Sequence, residues 1–470
     1  MSVAIWWIQR DLRLSDNQAL SASLRQADIV IPLFILDPRL LNAAHASHAR
    51  TAFLLDGLRL LDADLRQRGS ALIVRQGNPI EELQRVFREA GASVILAEAD
   101  VSPYARQRDS RVQRELPLIL TAGVTVYSPQ ELLKPDGSPY TVFTPFSRKW
   151  KSLPLPGEPL PAPDAMVPMP ALQSLDIPTF APSHTQPNFI AGEKEALDRL
   201  GSFVDADIYH YSQTRDRMDL TATSGLSPYL RFGMLSARQA VMAARKAWEV
   251  SPDTLSRKGA EAWLNELIWR EFYAGILDHF PHVLQTSFRR ELGRIPWLED
   301  EAGFLAWSQG RTGYPIIDAG MRQLNTHGWM HNRARMLTAS FLVKDLLIDW
   351  RRGAAYFMEH LVDGDPAANN GGWQWTAGTG TDAAPYFRVF NPVLQAKKFD
   401  PSGAYVRRWV PELSAVPDEF IHAPQGMPAN LQAQVGCVIG KDYPAPIVDH
   451  AMARQRALEA YRRGKYEQSI

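Results

Sequence analysis

Residues 359–382 read EHLVDGDPAANNGGWQWTAGTGTD. They hold four carboxylates (Glu359, Asp363, Asp365, Asp382), two adjacent amides (Asn369, Asn370), two indoles one residue apart (Trp373, Trp375) and five glycines, with no Lys or Arg. The stretch reads as a loop, where exposed indoles are out of place. It joins acid, amide and aromatic groups without an obvious nucleophile. Asp363-Gly364-Asp365 matches half of a calcium loop, but no Glu follows at the spacing a bidentate ligand needs, so metal is disfavoured.

A second cluster is WLNELIWREFY, 263–273. On a helix, Trp263, Glu266, Trp269 and Arg270 share a face. By itself this is more often a core stripe beside a solvated Glu–Arg pair. A carboxylate lodged between indoles is nonetheless desolvated, which raises its pKa. The third is HGWMHNRARM, 327–336. His327 and His331 have the spacing of helical metal ligands, yet no Glu follows His327 and no third ligand lies nearby, so metal is again disfavoured. Trp329, Asn332, Arg333, Arg335 and Met336 alternate aromatic, amide and guanidinium groups. Arg333 and Arg335 point in different directions on a helix, and Asp345 is a candidate partner for Arg335. The fourth is TATSGLSPYLRFG, 221–233. Its hydroxyls at a helix start suit a phosphate or pyrophosphate, although an ordinary helix cap explains them equally well.

The elements that must carry these groups fall into three parts. Short Val/Ile/Leu-rich runs at 3–8, 29–36, 71–74, 93–97 and 123–127 predict buried parallel strands. Helical periodicity at 51–68 and 80–90 lies between them. The alternation predicts a doubly wound α/β domain over 1–130, without a GxGxxG after its first strand. Residues 154–187 hold ten of the 34 prolines, which predicts an extended connector, placed at 131–195. From 196 to 470 the pattern is helical, with stretches at 235–250, 259–280, 319–325, 331–350 and 354–361.

With 470 residues, 45% hydrophobic and 22% charged, the chain is an ordinary globular protein. Lys plus Arg equals Asp plus Glu at 51 each, so net charge neither indicates nor excludes a nucleic-acid partner. A single cysteine, Cys437, rules out an intrachain disulfide and a Cys-based zinc or iron–sulfur site. There is neither a signal-peptide core nor a membrane-length apolar run, so the expected location is the cytoplasm.

In order along the chain, WWIQRDLRLSDN (6–17), WLNELIWREFY, TGYPIIDAGMRQLNTHGWMHNRARM (312–336), ASFLVKDLLIDW (339–350), the stretch 359–382 and PYFRVFNP (385–392) resemble the DNA photolyase/cryptochrome family. The likeness is to bacterial class I photolyases acting on cyclobutane pyrimidine dimers, and it covers nearly the whole chain. It implies an α/β antenna domain, a connector and a helical domain holding FAD, active when fully reduced. By motif, Tyr211, Thr223, Ser224, Gly225, Leu226 and Ser227 would hold the FAD phosphates and ribitol. Trp263, Asn332, Arg335, Asp363, Gly364 and Asp365 would surround the rest, with Arg335 and Asp345 flanking the ring and Asn369 facing its N5. Trp297, Trp350 and Trp373 would relay electrons inward.

The same resemblance implies a substrate side of Glu266, Trp269, Arg270, Asn332, Arg333, Met336 and Trp375. Arg215, Arg388, Gln395 and Lys397 would reach the DNA backbone. The implied partner is UV-damaged DNA containing pyrimidine dimers, and the implied state a monomer that binds no membrane. Glu266 would hydrogen-bond a pyrimidine carbonyl, and Gly371 and Gly372 would let backbone approach the ligand. Met336 and Asn369 favour repair over a signalling cryptochrome, the alternative reading. In EADVSPYARQRD (98–109), Ala105 stands near the position where folate-binding members carry an acid. A deazaflavin or FMN antenna is therefore expected over methenyltetrahydrofolate, with Arg10, Asp37 and Asp100 as its contacts. The rival from another class is a metal-dependent hydrolase, which would bind a divalent ion and lack yellow colour.

Overall fold

The computed structural model describes residues 1–41, 46–179, 189–385 and 387–466. Five parallel strands, β1 (Val3–Ile8), β2 (Ile29–Leu36), β3 (Ile73–Gln76), β4 (Val94–Glu98) and β5 (Leu118–Thr121), form one sheet in the order β3-β2-β1-β4-β5. The first two match the expected runs, because continuous apolar sequence is what a strand covered on both faces requires. Helix α1 (His48–Gln67), capped by Ser47, and α2 (Pro103–Glu115), capped by Ser102, belong to this domain.

The fifth strand lies before the run expected at 123–127. At Gly123 the chain passes so close to β4 that a Cβ would sit 2.4 Å from the Ala99 oxygen. Beyond it, the Val126 amide and the Val124 oxygen are satisfied by side chains rather than by a strand. The Val126 amide donates to Glu271 at 2.6 Å, and Arg270 donates to the Val124 oxygen at 2.7 Å. Apolar content alone cannot distinguish that docking from a strand.

The span 131–195 expected as an extended connector contains a helix, α3 (Phe143–Ser152), which packs on the long helix α5 (Thr254–His279). Between them in sequence comes the short α4 (Ser227–Phe232). The rest of the helical part that concerns the site is α6 (Pro315–His327), α7 (Asn332–Ser340), α8 (Trp350–His360), α9 (Pro366–Ala377) and α10 (His450–Tyr466). The run expected as one helix over 331–350 ends at Ser340, continues as a π-turn over Phe341–Asp345 and breaks at Leu347, where φ is +55°.

The stretch 359–382 is largely helix α9 and not a loop. Asp365 caps it, accepting from the Ala367 and Ala368 amides at 2.9 and 3.2 Å, and Pro366 follows the cap. Asn369, Asn370, Gly371 and Gly372 are poor helix formers. Tertiary contacts hold them: Asn370 and Gln374 both donate to the Val283 oxygen at 2.8 Å, and Asn369 donates to the Ala354 oxygen at 3.0 Å. On this helix Trp373 is buried and Trp375 half-buried. Among the described residues, no helix is long and apolar enough to cross a membrane.

Candidate cofactor and substrate site

A cavity of about 520 Å³ opens in the helical part. Helix α5 supplies Trp263, Glu266, Trp269, Arg270 and Tyr273 to its wall. Helix α7 supplies Asn332, Arg335 and Met336, and the turn into α9 supplies Asp363, Gly364 and Asp365. Helix α9 adds Asn369, Gly372, Trp373 and Trp375, and the segment entering α4 adds Ser224, Leu226 and Ser227. Tyr211, Arg215 and Arg231 also line it. Four motifs, contributing residues from Ser224 to Trp375, thus converge on one space.

Two carboxylates organise the floor. Asp363 accepts from Arg335 at 2.8 Å through one oxygen, while its other oxygen is buried without a hydrogen-bond partner. A buried acceptor left open on a cavity wall calls for a donor on a ligand. Asp365 accepts from Arg10 at 2.7 Å. Burial opposes its ionisation, but Arg10, Arg231 and Arg270 outweigh it and hold the carboxyl well below the usual range. Burial conversely pulls Arg231 down to about 9, with Arg10 adding to the effect.

At the mouth, Glu266 pairs with Arg215 at 2.7 Å, and each side chain keeps about 30% of its surface, 30% and 29% respectively. Desolvation in the concave wall pushes the Glu266 carboxyl up, against the opposing pull of Arg215. Trp269 lies flat against Phe143 of α3, ring centres 3.7 Å apart and planes 3° apart. The start of α3 is fixed from the far side, where Asp382 accepts from the Phe143 amide at 3.0 Å. Sequence reasoning passed over Phe143, because nothing local links residue 143 to residue 269.

Several expected groupings change. Arg335 does not pair with Asp345: its partner is Asp363, and Asp345 is fully buried against His450 of α10 at 2.6 Å, outside the cavity. Ten residues of helix separate the two by about 15 Å, too far for an ion pair, and Asp345 meets α10 instead. Arg333 and Arg335 do diverge, Arg333 pairing with Asp216 at 2.7 Å and lying off the cavity wall. Thr223 and Gly225 also lie off it, Gly225 turning the chain at φ +61° between Ser224 and Leu226. Gly371 is required by Tyr273, whose ring a Cβ would meet at 2.2 Å; Gly372 alone of the pair faces the cavity, with open space beyond it. His327 ends α6 and His331 caps α7 across the left-handed Gly328, so the two do not share a helix face. Among the described residues, no group of three or more His, Cys, Asp or Glu could hold a metal ion.

Of the three tryptophans implied as a relay, Trp373 lines the cavity, Trp350 is fully buried and Trp297 is half-buried with its ring edge-on to Tyr461. Of the four residues implied for the DNA backbone, Arg215 is at the mouth, Arg388 and Lys397 are exposed and Gln395 is half-buried.

A second cavity, about 260 Å³, lies at the carboxyl ends of β2 and β3. Asp37, Arg39, Tyr104, Arg108 and Arg111 line it, and Tyr104 donates to Asp37. Arg10 and Asp100, expected beside Asp37, are elsewhere. They follow β1 and β4, the neighbours at which strand order reverses, and pair with each other at 3.2 Å facing the helical part. Strand position decides this: β1 and β4 end against Asp365, whereas β2 ends one strand further out.

The size and donor set of the larger cavity fit a dinucleotide flavin: an open buried carboxylate, an amide at Asn369, hydroxyls at Ser224 and Ser227, and an indole wall. Comparison with known proteins agrees. Residues 4–164 match the family model for DNA photolyase, and residues 263–463 match that for the FAD binding domain of DNA photolyase. The chain is 40% identical to a deoxyribodipyrimidine photo-lyase of Synechococcus sp., over 97% of this chain and 95% of that one. Among solved structures, it is similar to a bacterial class III photolyase from Agrobacterium tumefaciens, with TM-score 0.93 and 37% identity, covering 99% of this chain and 98% of that one. It is less similar to the Synechocystis sp. PCC6803 cryptochrome, with TM-score 0.88 and 30% identity, covering 98% and 99%. Converging motifs, cavity chemistry and these likenesses lead to one conclusion: the chain belongs to the DNA photolyase family.

Proposed function

We propose that this protein repairs cyclobutane pyrimidine dimers in DNA under light, as a deoxyribodipyrimidine photo-lyase. The observation that carries the reading is that one cavity has two kinds of lining: the polar groups Asp363, Arg335 and Asn369, and the aromatic and apolar faces of Trp269, Trp375 and Met336 with Glu266 among them. Fully reduced FAD, when bound, supplies the light-excitable electron that splits the dimer.

The chain's own residues do the rest. Ser224 and Ser227 offer hydroxyls to phosphates. Asn369 spends its amide N–H on the Ala354 oxygen, which leaves its carbonyl oxygen for the cofactor. Trp269 and Trp375 give flat apolar faces to bases taken out of the stack, offsetting a flipping cost of a few kcal/mol. Glu266, held by Arg215 on the same wall, is the group to hydrogen-bond a pyrimidine carbonyl. Arg215 and the exposed Arg388 and Lys397 meet the phosphates, with half-buried Gln395 beside them. Trp373 on the cavity wall, buried Trp350 and half-buried Trp297 would serve as an electron relay, and their burial, from wall to core to part-exposed, suits that role.

The second cavity, with three arginines, one carboxylate and a phenol, suits an anionic antenna such as a deazaflavin or FMN. Asp37 is the one expected antenna contact on its wall. A cytoplasmic monomer completes the reading. The test is to illuminate the reduced protein with an oligonucleotide bearing one thymine dimer and to follow thymine absorbance against a dark control. Light-only recovery supports repair. Bound, reduced FAD without recovery favours a cryptochrome.

A further inference from the structure

The turn joining α8 to α9 carries Asp363, Gly364 and Asp365 into the cavity, and two arginines of the α/β domain grip it. Arg50 on α1 donates to the Met358 and Leu361 oxygens at 2.6 and 3.0 Å. These are carbonyls at the end of α8, where helix geometry supplies no partner and the dipole favours a cation. Arg10, following β1, donates to Asp365 at 2.7 Å and to the Arg231 oxygen at 3.0 Å. Asp100 holds Arg10 in place from behind at 3.2 Å. Arg231 in turn donates to the Gly364 oxygen at 2.7 Å. The fit is close: a Cβ on Gly364 would lie 2.5 Å from the Arg50 guanidinium.

We propose that Arg10 and Arg50 are positioning residues for the flavin pocket, clamping the Leu361–Asp365 turn from the α/β domain so that flavin retention depends on how the two domains dock. Neither arginine lines the cavity, and both precede the segment 263–463 that matches the FAD-binding family model. Asp365 also caps α9, so the clamp fixes the start of the helix bearing Asn369, Trp373 and Trp375. By linkage, a ligand that needs the turn docked must in turn tighten the interface between the domains. The proposal rests on the flavin reading of the cavity.

The test strips FAD from the full-length protein and titrates it back, following flavin fluorescence. Arg10→Gln should raise the FAD Kd at least tenfold while the far-UV circular dichroism of the apoprotein stays as in the wild type. Arg10→Lys should recover part of the loss. The double variant Arg10→Gln/Asp365→Asn should bind no worse than Asp365→Asn, because Arg10 acts through that carboxylate. A purely structural role predicts instead that the two losses multiply. Binding by Arg10→Gln within twofold of wild type, or multiplying losses, overturns the clamp. Should Arg10→Gln fail to fold, Arg50→Gln faces the same titration and the same tenfold criterion. Wild-type apoprotein that takes up no FAD would overturn the flavin reading itself, and this proposal with it.

Discussion

Replacing Glu266 by Ala separates lesion chemistry from everything else the cavity does. Its pairing with Arg215 is roughly one-third exposed, at 30% and 29% of side-chain surface, so solvent screens it. Such a pair contributes about 0.2–1 kcal/mol, and global stability should shift by no more than that. A hydrogen bond to a group on which charge develops is worth more, about 1.5 kcal/mol or above. Losing 1.5 kcal/mol slows bond cleavage roughly twelvefold. The assay reads a yield per absorbed photon, in which cleavage competes with return of the electron. Where cleavage leads that loss by about tenfold, a twelvefold slowing halves the yield. The measurement is thymine recovery per photon in a dimer-bearing oligonucleotide at saturating protein, alongside the flavin absorbance of the same sample. A variant with full flavin content and an unchanged yield refutes the assignment of Glu266 to the lesion. Loss of flavin instead makes Glu266 part of the cofactor wall.

Three other outcomes follow from the packing and charges. Gly353→Ala on α8 puts a Cβ 2.1 Å from the Trp373 ring and 2.6 Å from Leu342, inside a core that cannot yield. It should cost about 1–3 kcal/mol in denaturant unfolding and impair light-driven flavin reduction, and unchanged values of both would count against a tight α8–α9 contact. Phe143→Ala removes the ring stacked on Trp269. It should weaken affinity for dimer-containing DNA by roughly two- to tenfold, from about 0.5–1.5 kcal/mol of ring pairing, with flavin content intact. Equal affinity would show that Trp269 needs no backing. Burial pushes Glu271 from its ordinary 4.5 up to about 7, against the pull of its bonds from Val126 and Trp150. The folded chain therefore holds this proton more tightly, and its contribution to stability is full below about 4.5 and lost as pH rises through about 7. Glu98, likewise pushed up to about 7 by burial against the pull of Arg13, acts in the same direction. Between pH 5 and 7 the unfolding free energy of Glu271→Gln should lack this downward contribution relative to the wild type, and an identical pH dependence in the two would contradict the assignment.

The sequence by itself determined the class of architecture and the helical wall of the cavity that α5 supplies. Runs such as VAIWWI and IVIPLFIL are apolar on both faces, as a strand covered on both sides requires. The 3.6 periodicity of 259–280 likewise fixed α5, and with it the shared face of Trp263, Glu266, Trp269 and Arg270. These are local matters of period and propensity. What only the tertiary structure decided was pairing. Arg335 pairs with Asp363 because the turn into α9 folds back onto α7, whereas Asp345, ten residues along the same run, packs against His450 of α10. Asn369-Asn370-Gly371-Gly372 become helix because Val283, Ala354 and Tyr273 reward that conformation from elsewhere in the fold. Residues 124–126 forgo a strand for the side chains of Arg270 and Glu271. Arg10 and Arg50 reach the flavin-site turn from positions more than 300 residues away. Each of these depends on which groups are left unsatisfied when domains and helices meet, and a chain read one segment at a time does not contain that information.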